Sequence, residues 1–301
     1  SGNFVILNIT EQDVENEGGY PLPRKRLGQI HNDLISKGAL GVGWVISFPQ
    51  ADRMGGDEYF AKSLKYGNSV IAMFEDGKGN FPKTTGTVVK GNNIGGIVSE
   101  GVKENLNTLT NNTLQGLAIA PTEVDQLVRR IPLLVRTPEG WIASFGTQVL
   151  KDMNVAGRYV FVGVTANGVM PQIATPVGLL EPHKIQAALS ESILIQESPY
   201  IPDWSLAAEI LIFITTVTLS WLLINILGIT TGILFTSILF FITAFSGHYL
   251  IQKGILIDVT WTLISQFITA STAFYLRFRE QYKLRQQIKK QFEHYLDPRQ
   301  V

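Results

Sequence analysis

The chain has 301 residues, a formal net charge of zero at pH 7 and no cysteine. The absence of cysteine excludes disulfide bonds and thiolate metal sites, and the basic residues near the end form a short segment that does not indicate a nucleic-acid partner. The charges are unevenly distributed. Residues 1–203 have an ordinary globular mixture, residues 204–276 are almost free of charge, and residues 277–301 are rich in Lys and Arg.

The first 203 residues alternate between short apolar runs and amphipathic stretches, which is typical of βαβ units. The apolar runs predict strands at Phe4–Ile9, Gly41–Phe48, Ser69–Phe74, Ile131–Arg136 and Arg158–Val164. The amphipathic stretches predict helices at Arg24–Lys37, Asp57–Tyr66, Trp141–Asp152 and Pro182–Ile195. Residues 77–118 are interpreted as hairpins or a long insertion, and residues 168–177 as a loop. The pattern predicts one α/β domain with a mixed sheet flanked by helices.

Residues 204–276 contain three apolar segments, Leu206–Leu227, Ile229–Ile251 and Ile255–Leu276. A helix needs about 20 mostly apolar residues to cross a bilayer. We therefore predict three transmembrane α-helices surrounded by lipid, followed by an amphipathic helix in residues 277–301.

The basic residues after the last apolar segment predict the orientation, because cytoplasmic flanks are enriched in Lys and Arg. With three crossings, residues 1–203 then lie outside the cytoplasm and the carboxyl terminus lies inside. An outside start further predicts a removed signal sequence or, preferably, a transmembrane helix upstream of the first residue.

Several stretches occur in a characteristic order: Pro21–Arg24, Gly41–Phe48 with Asp57, Asp125–Leu134, Tyr159–Thr165, and Thr175–Gly178 ahead of Ile185–Ala187. Their order, followed by the three apolar segments, resembles the CHASE2 family of sensor domains over nearly all of residues 4–276. The resemblance implies an extracytoplasmic sensor domain in a multi-pass receptor of the bacterial inner membrane.

Residues 292–301 follow the pattern Phe-x-x-Tyr-Leu-x-Pro-x-x-Val. This pattern resembles the leader that opens class III adenylate/guanylate cyclase domains. The resemblance implies a homodimeric receptor whose catalytic domain follows Val301 and uses ATP with Mg²⁺ or Mn²⁺. Residues 1–301 themselves show no catalytic constellation, so no catalytic residue or cofactor is expected in them. A receptor kinase, or a structural or assembly protein with a degenerate ligand site, remain alternatives.

The chain departs from the family pattern at several positions. Asn8 and Val45 stand where the family often has an Asp in the first two strands, Pro171 and Gln172 replace a further Asp, and Gln186 replaces a His. Carboxylates at strand ends are natural ligand contacts. These departures leave open whether the domain binds a less charged ligand or acts as a structural and dimerisation module.

Four charged residues are candidates for ligand binding: Arg24, Asp57, Asp125 and Arg129. Arg24 begins a predicted helix, where it could meet an anionic ligand or pair with Glu11, Asp13 or Glu15. Arg129 precedes a predicted strand, where it could hold a ligand or pair with Asp125.

No metal site is expected in the front domain. His31 and His183 have no second His or Cys at the spacing of metal ligands.

Three ionisable residues lie inside the apolar segments: Glu209, His248 and Asp258. All three fall near the predicted outer end of their helices. Intramembrane charges are costly unless they are paired or hydrated. They are interpreted either as a cluster that couples the sensor to the membrane helices or as separate side chains that reach the interface.

The tail contains a half-apolar heptad seam, for which we predict dimer contact and signal transmission by Phe278, Tyr282, Ile288, Phe292, Tyr295 and Pro298. Polar residues interrupt the seam, which suits a weak parallel dimer. The alternative is an interfacial helix whose Lys and Arg lie on lipid headgroups.

Overall fold

The computed structural model describes residues 2–77, 81, 86–91, 95–150 and 158–295. The chain divides into two compact units, Ser1–Gln196 and Glu197–Val301.

The first unit contains both strands and helices. Its strands are β1 (Phe4–Ile9), β2 (Ala39–Trp44), β3 (Val70–Glu75), β4 (Val88–Val89), β5 (Val102–Lys103), β6 (Leu114–Leu117), β7 (Leu134–Thr137), β8 (Gly140–Ala143), β9 (Arg158–Val164), β10 (Ile173–Thr175) and β11 (Gly178–Leu180). Its helices are α1 (Glu11–Asn16), α2 (Arg24–Ser36), α3 (Asp57–Ser63), α4 (Asn107–Thr110), α5 (Phe145–Leu150) and α6 (Pro182–Leu194).

The main sheet has the strand order β1-β9-β2-β3, and β3 pairs further with β6 and β5. All of these pairings are parallel except β3 with β5. The prediction of an α/β domain with a mixed sheet flanked by helices is therefore confirmed.

Strand β9 lies between β1 and β2 and is buried on both faces, as expected for a parallel strand covered by helices. Tyr159 and Phe161 enter a core cluster with Phe145 of α5, and Val160 and Val162 enter a cluster with Leu27 of α2. Successive side chains of a strand point to opposite faces, so the continuous apolar run of β9 fills two cores.

A second sheet, with the order β4-β8-β7, corrects the predicted helix Trp141–Asp152. Its first residues form β8, and the helix begins only at Phe145. Gly140 has φ +138° at the turn between β7 and β8, and Ile142 packs with Val135 in a third core cluster. Pairing with β7 in a tight hairpin, and with the distant β4, thus determines the structure of residues that read as helical. Asp152 lies outside the described residues.

The second unit contains α7 (Ser205–Ile226), α8 (Ile229–Gln252) and α9 (Thr260–Tyr295). Of the helices that the structure describes, only α7 and α8 are long and apolar enough to cross a membrane, and both are largely unburied within the unit.

The prediction of a third such helix at Ile255–Leu276 is not met. Helix α9 begins five residues later, because the backbone of Tyr200 pairs with Gly254 and Leu256 instead. The apolar residues among 255–259 therefore lie outside the helix. The part of the predicted segment that does form α9 is rich in Ser and Thr and includes Gln266. The helix continues through residues 277–295, where the amphipathic tail helix was predicted.

A buried amide links β3, β6 and the segment after β2, and its loss should destabilise the fold. The side chain of Asn105 accepts a hydrogen bond from the Phe48 amide at 2.6 Å and donates to the Ala72 carbonyl at 2.9 Å and to Gln115 at 2.8 Å. Asn105→Ala removes all three hydrogen bonds from buried groups, which should lower the free energy of unfolding by roughly 3 kcal/mol.

The matched control is Asn112→Ala, since the Asn112 amide makes a single local bond to the Thr108 carbonyl. Urea unfolding of the detergent-solubilised chain measures both variants. Equal stabilities for the two variants would contradict the bridging role of Asn105.

Candidate functional site

Arg24 lies in a buried cluster where the first turn of α2 meets the segment after β2. The residue is 7% exposed, its Nε lies 3.6 Å from Oδ1 of Asp57, and its guanidinium carbon lies 4.4 Å from the centre of the Phe48 ring. Burial lowers the pKa of Arg24, and the charges of Asp57 and Asp52 oppose that shift. The predicted site residues Arg24 and Asp57 are thus brought together.

Asp52, which sequence analysis did not single out, organises the loop around this pair. Its carboxylate accepts hydrogen bonds from the amides of Arg24 at 3.0 Å, Met54 at 3.1 Å and Gly56 at 3.1 Å. Burial acts to raise the pKa of Asp52, but these three amides and the charge of Arg24 leave the pKa below its usual value. The Asp52 carboxylate therefore also accepts a hydrogen bond from the Arg24 amide, which lies in the first turn of α2 and has no partner within the helix. An N-cap side chain acts in the same way.

The acidic partners suggested by the sequence, Glu11, Asp13 and Glu15, do not pair with Arg24. Asp13 accepts hydrogen bonds from the backbone and the side chain of Thr10 and so caps α1. The actual partner follows Arg24 by 33 positions, and only the folded sheet brings the two together. Nε of Arg24 and Oδ1 of Asp57 are buried and have no hydrogen-bond partner among the described residues.

Arg129 forms a second, exposed cluster. Its guanidinium donates to Asp125 Oδ1 at 2.8 Å and Oδ2 at 2.6 Å, and to Glu123 at 3.2 Å. The hydrogen bonds from Arg129 lower the pKa of Asp125 to about 2. This bidentate arrangement occupies the face of Arg129 that would otherwise hold a carboxylate ligand.

An open groove of about 380 Å³ lies between β1, α1 and α2. Its lining combines apolar side chains, such as Leu7 and Ile30, with the charged residues Asp13, Glu17, Arg26, Asp33 and Lys37. Arg26 and Glu17 form an ion pair at 2.8 Å. Sequence reasoning missed this groove because α1 was not predicted.

Asn8 also lines the groove, and its side chain joins the groove to a buried histidine. Oδ1 of Asn8 lies 2.8 Å from Nε2 of His183, which is 1% exposed. Burial lowers the pKa of His183 to about 4, so the ring is neutral at pH 7 and donates from Nε2. A neutral Asn–His pair therefore occupies the first-strand position at which the family often has a carboxylate.

Two other departures from the family pattern, Val45 and Gln186, have structural roles. Val45 is fully buried in the core cluster of Phe145 and Phe161. Gln186 is buried, accepts a hydrogen bond from the Gly146 amide at 3.1 Å and donates to the Ile119 carbonyl at 3.1 Å. Val45 therefore contributes to packing and Gln186 to hydrogen bonding, and neither places a charge at its position.

Comparison with known families gives one match, a model of the CHASE2 domain that covers residues 1–156. The chain belongs to the CHASE2 family. Neither the curated proteins nor the solved structures give a match.

CHASE2 domains are extracytoplasmic sensor domains, and the first unit is one of them. The two apolar helices α7 and α8 indicate a membrane protein. The family match ends before β9, yet β9 lies between β1 and β2 in the main sheet. The CHASE2 fold of this chain therefore needs residues beyond the matched range.

In the second unit, the structure brings two of the three ionisable membrane residues together. Oε1 of Glu209 accepts a hydrogen bond from the Asp258 amide at 2.9 Å, and the Asp258 carboxylate accepts one from the Thr260 amide at 2.8 Å. His248 lies 3.0 Å from the amide nitrogen of Gln252, one turn further along its own helix.

The tail residues Phe278, Tyr282, Ile288 and Phe292 are all exposed on α9. The side chain of Tyr295 and the whole of Pro298 lie outside the described residues. The exposed residues are therefore available for contact with a second molecule.

The stability of the CHASE2 domain should fall in acid because of His183. The folded-state pKa of about 4 is below the usual histidine pKa of 6.5, so the unfolded state binds the proton first and the stability at pH 7 is lost as the pH falls from 6.5 through 4. The loss between pH 7 and pH 4 should be roughly 3 kcal/mol for this one group.

The measurement is urea unfolding followed by Trp44 and Trp141 fluorescence in a chain whose other three tryptophans are Phe. His183→Gln keeps an N–H donor for Asn8 but does not titrate, and should remove most of that loss. A parental chain and a Gln variant with the same pH dependence would show that His183 is not the group responsible.

Proposed function

We propose that this chain is the sensor and membrane portion of a homodimeric receptor in the bacterial inner membrane, whose cytoplasmic output is a class III nucleotide cyclase. The observation that carries the proposal is the arrangement of α7 and α9. The two helices lie side by side and run in the same direction over the whole length of α7.

Contacts near both ends of α7 support this arrangement. Near its start, Glu209 accepts a hydrogen bond from the Asp258 amide just ahead of α9. At its end, the guanidinium of Arg277 donates to the Asn225 carbonyl at 2.6 Å. Between these contacts α9 runs from Thr260 to Arg277, which is 18 residues or about 27 Å, and a helix of about 17–25 residues can cross a bilayer.

The distribution of side chains on α9 also supports a third crossing, although its mean hydropathy is lower than that of α7 and α8. Its polar residues Thr262 and Gln266 are buried within the unit, whereas Trp261, Phe267 and Ile268 are more than half exposed. The helix therefore offers large apolar side chains to lipid and keeps these two polar residues inside.

The orientation follows from the extracytoplasmic location of CHASE2 domains. Three crossings after an outside domain place the continuation of α9 in the cytoplasm. The basic residues of that continuation agree with the preference of Lys and Arg for cytoplasmic flanks, and Arg277 at the carboxyl end of α7 also complements the helix dipole.

The continuity of α9 supports a mechanical role. The helix has 36 residues without a break, or about 54 Å, and so extends from the extracytoplasmic side of the proposed membrane into the tail. A change in packing between two sensor domains would move this helix as a rigid body. Phe278, Tyr282, Ile288 and Phe292 would form the contact between the two tails.

The cyclase output is supported by the leader pattern at residues 292–301, and class III cyclases build their active sites across a homodimer interface. ATP and Mg²⁺ or Mn²⁺ would then bind beyond Val301. The rival receptor kinase would instead carry a phosphoacceptor histidine there.

A structural or assembly role is the second candidate, because both predicted arginine sites are already paired within the sensor. Arg24 faces Asp57, and Arg129 is held by Asp125 and Glu123.

Thermal-shift screening of the chain against anions, metals and nucleotides separates the two candidates. A ligand raises the melting temperature if it prefers the folded state, whereas a purely structural module gives no shift with any of them.

Cyclase output is tested with the protein as the cell makes it, including whatever follows Val301. Membranes that contain it should convert ATP to cyclic AMP with Mg²⁺ or Mn²⁺. Ile288→Glu places a charge in the tail seam and should lower that activity roughly tenfold, the equivalent of about 1.4 kcal/mol of dimer packing. Gln287→Glu adds the same charge beside the seam and should have little effect.

Membranes that label a histidine with phosphate from ATP and make no cyclic nucleotide would assign a kinase instead. Membranes with neither activity would favour the assembly role.

The topology is tested by thiol labelling. Because residues 1–301 contain no cysteine, a cysteine introduced among them is the one thiol there that can react. Glu58→Cys in the sensor and Lys253→Cys between α8 and α9 should react with a membrane-impermeant maleimide on spheroplasts. Gln281→Cys should react only after permeabilisation. If Gln281→Cys reacts as readily as Lys253→Cys before permeabilisation, α9 does not cross and the receptor topology fails.

A further inference from the structure

A groove of about 400 Å³ lies among the helices of the second unit, mainly between α8 and α9. Its aromatic lining includes Phe240, Phe267 and Phe274, and Ile224 of α7 also reaches it. Every residue that lines it is uncharged. Its size lies within the range of small-molecule sites.

Two buried polar side chains in this lining have no internal partner. The Gln266 side chain is fully buried, and neither its amide nitrogen nor its amide oxygen has a hydrogen-bond partner among the described residues. The hydroxyl of Thr236, which is 5% exposed, has none either. Buried polar groups are nearly always satisfied, and a group left without a partner costs about 1–3 kcal/mol.

The neighbouring buried hydroxyls on these helices show that Thr236 is an exception. Thr216, Ser220 and Thr243 each donate to the carbonyl of the residue four positions earlier, at 2.7 to 2.9 Å. Such a bond to its own helix is the usual way to satisfy a hydroxyl in a membrane helix. Thr236 and Gln266 both line this groove, and each therefore carries an unpartnered buried polar group beside the same space.

We infer that the groove binds a neutral, membrane-soluble molecule that carries a hydroxyl group on an apolar body. A carboxamide needs both an acceptor and a donor, and a hydroxyl group supplies both. The uncharged lining excludes recognition of a charged headgroup, and the aromatic lining suits an aliphatic or aromatic body. A ligand at this position would contact α9 directly, so it would act on the helix that connects the membrane to the tail.

This inference rests on the proposed third crossing, because the groove faces lipid only if the first half of α9 lies in the bilayer. The site is independent of the cyclase output. It also differs from the groove beside β1, which is lined by charged side chains.

The experiment uses the full chain in phosphatidylcholine nanodiscs and two photoreactive probes, an octanol and an octane that each carry a diazirine. Labelled residues are mapped by mass spectrometry. The alcohol should label the groove residues Ile233, Phe240 and Ala270 at least fivefold more than the alkane does. Excess unlabelled octanol should compete for this labelling.

Gln266→Leu and Thr236→Val should each reduce the alcohol labelling of the groove at least threefold. Thr243→Val is the matched control, because its hydroxyl is already bonded within α8, and it should leave the labelling unchanged. Neither Gln266→Leu nor Thr236→Val should lower the melting temperature, since each removes a buried polar group that has no partner.

Equal labelling by the alcohol and the alkane would overturn the inference, as would alcohol labelling that does not depend on Gln266 and Thr236. A groove that only holds water or a second copy of the chain would give that result. The alkane probe separately tests the third crossing. It should label lipid-facing Phe267 and Ile268 in every variant, and its failure there would count against the membrane arrangement.

Discussion

The structure of the membrane unit depends on one constraint, the fixed register of α7 and α9. In hydrocarbon, backbone and side-chain polar groups find no water and must satisfy one another. Here the bond between Glu209 and the Asp258 amide holds one end of the pair, and the bond between Arg277 and the Asn225 carbonyl holds the other. Each bond joins a charged side chain to backbone at a helix end. Together they leave α9 no freedom to slide along α7 without losing both.

In the proposed topology, this register would give the chain a direct route from one side of the bilayer to the other. Because α9 is a single helix, a tilt or rotation imposed near Asp258 is carried into the tail without a hinge. The groove at Gln266 lies against the same helix, so an occupant there would act on the same element. In the sensor domain, by contrast, Arg24 and Arg129 are already paired with carboxylates. The groove beside β1 remains as its open, mixed-charge surface.

Sequence reasoning predicted the parts of this architecture that depend on local periodicity. The edges of β1, β9, α2, α6, α7 and α8 lie within a few residues of the predicted ones, because long apolar or amphipathic runs define them. The helix predicted from Trp141 was wrong at its start because β8 forms by pairing with β4 and β7. The pairing of β4 with β8 joins Val88 to Ile142 and leaves no signal in a short window. The pairing of β7 with β8 is a tight hairpin around Gly140, a local turn that the helical reading overlooked.

The same distinction explains what was found and missed among the site residues. The pairing of Arg129 with Asp125 was among the stated alternatives, since the two lie four residues apart. The partner of Arg24 was expected among the acidic residues just before α2. Only the fold places Asp52 and the start of α3 at Asp57 beside Arg24. Gln266 was passed over because the surrounding sequence is apolar, and only the packing of α8 against α9 reveals that its amide is buried without a partner.

The central claim is the parallel, full-length packing of α7 and α9, and paired spin labels measure it most directly. One pair, Ile210 with Trp261, reports the end near Glu209, and the other, Ile226 with Phe278, reports the end near Arg277. All four residues are exposed. Packed helices lie about 8–10 Å apart, so both pairs should give similar short distances in nanodiscs. A short distance at the first pair and one longer by roughly the 30 Å length of a membrane helix at the second would show that α9 leaves α7, and the account would be wrong.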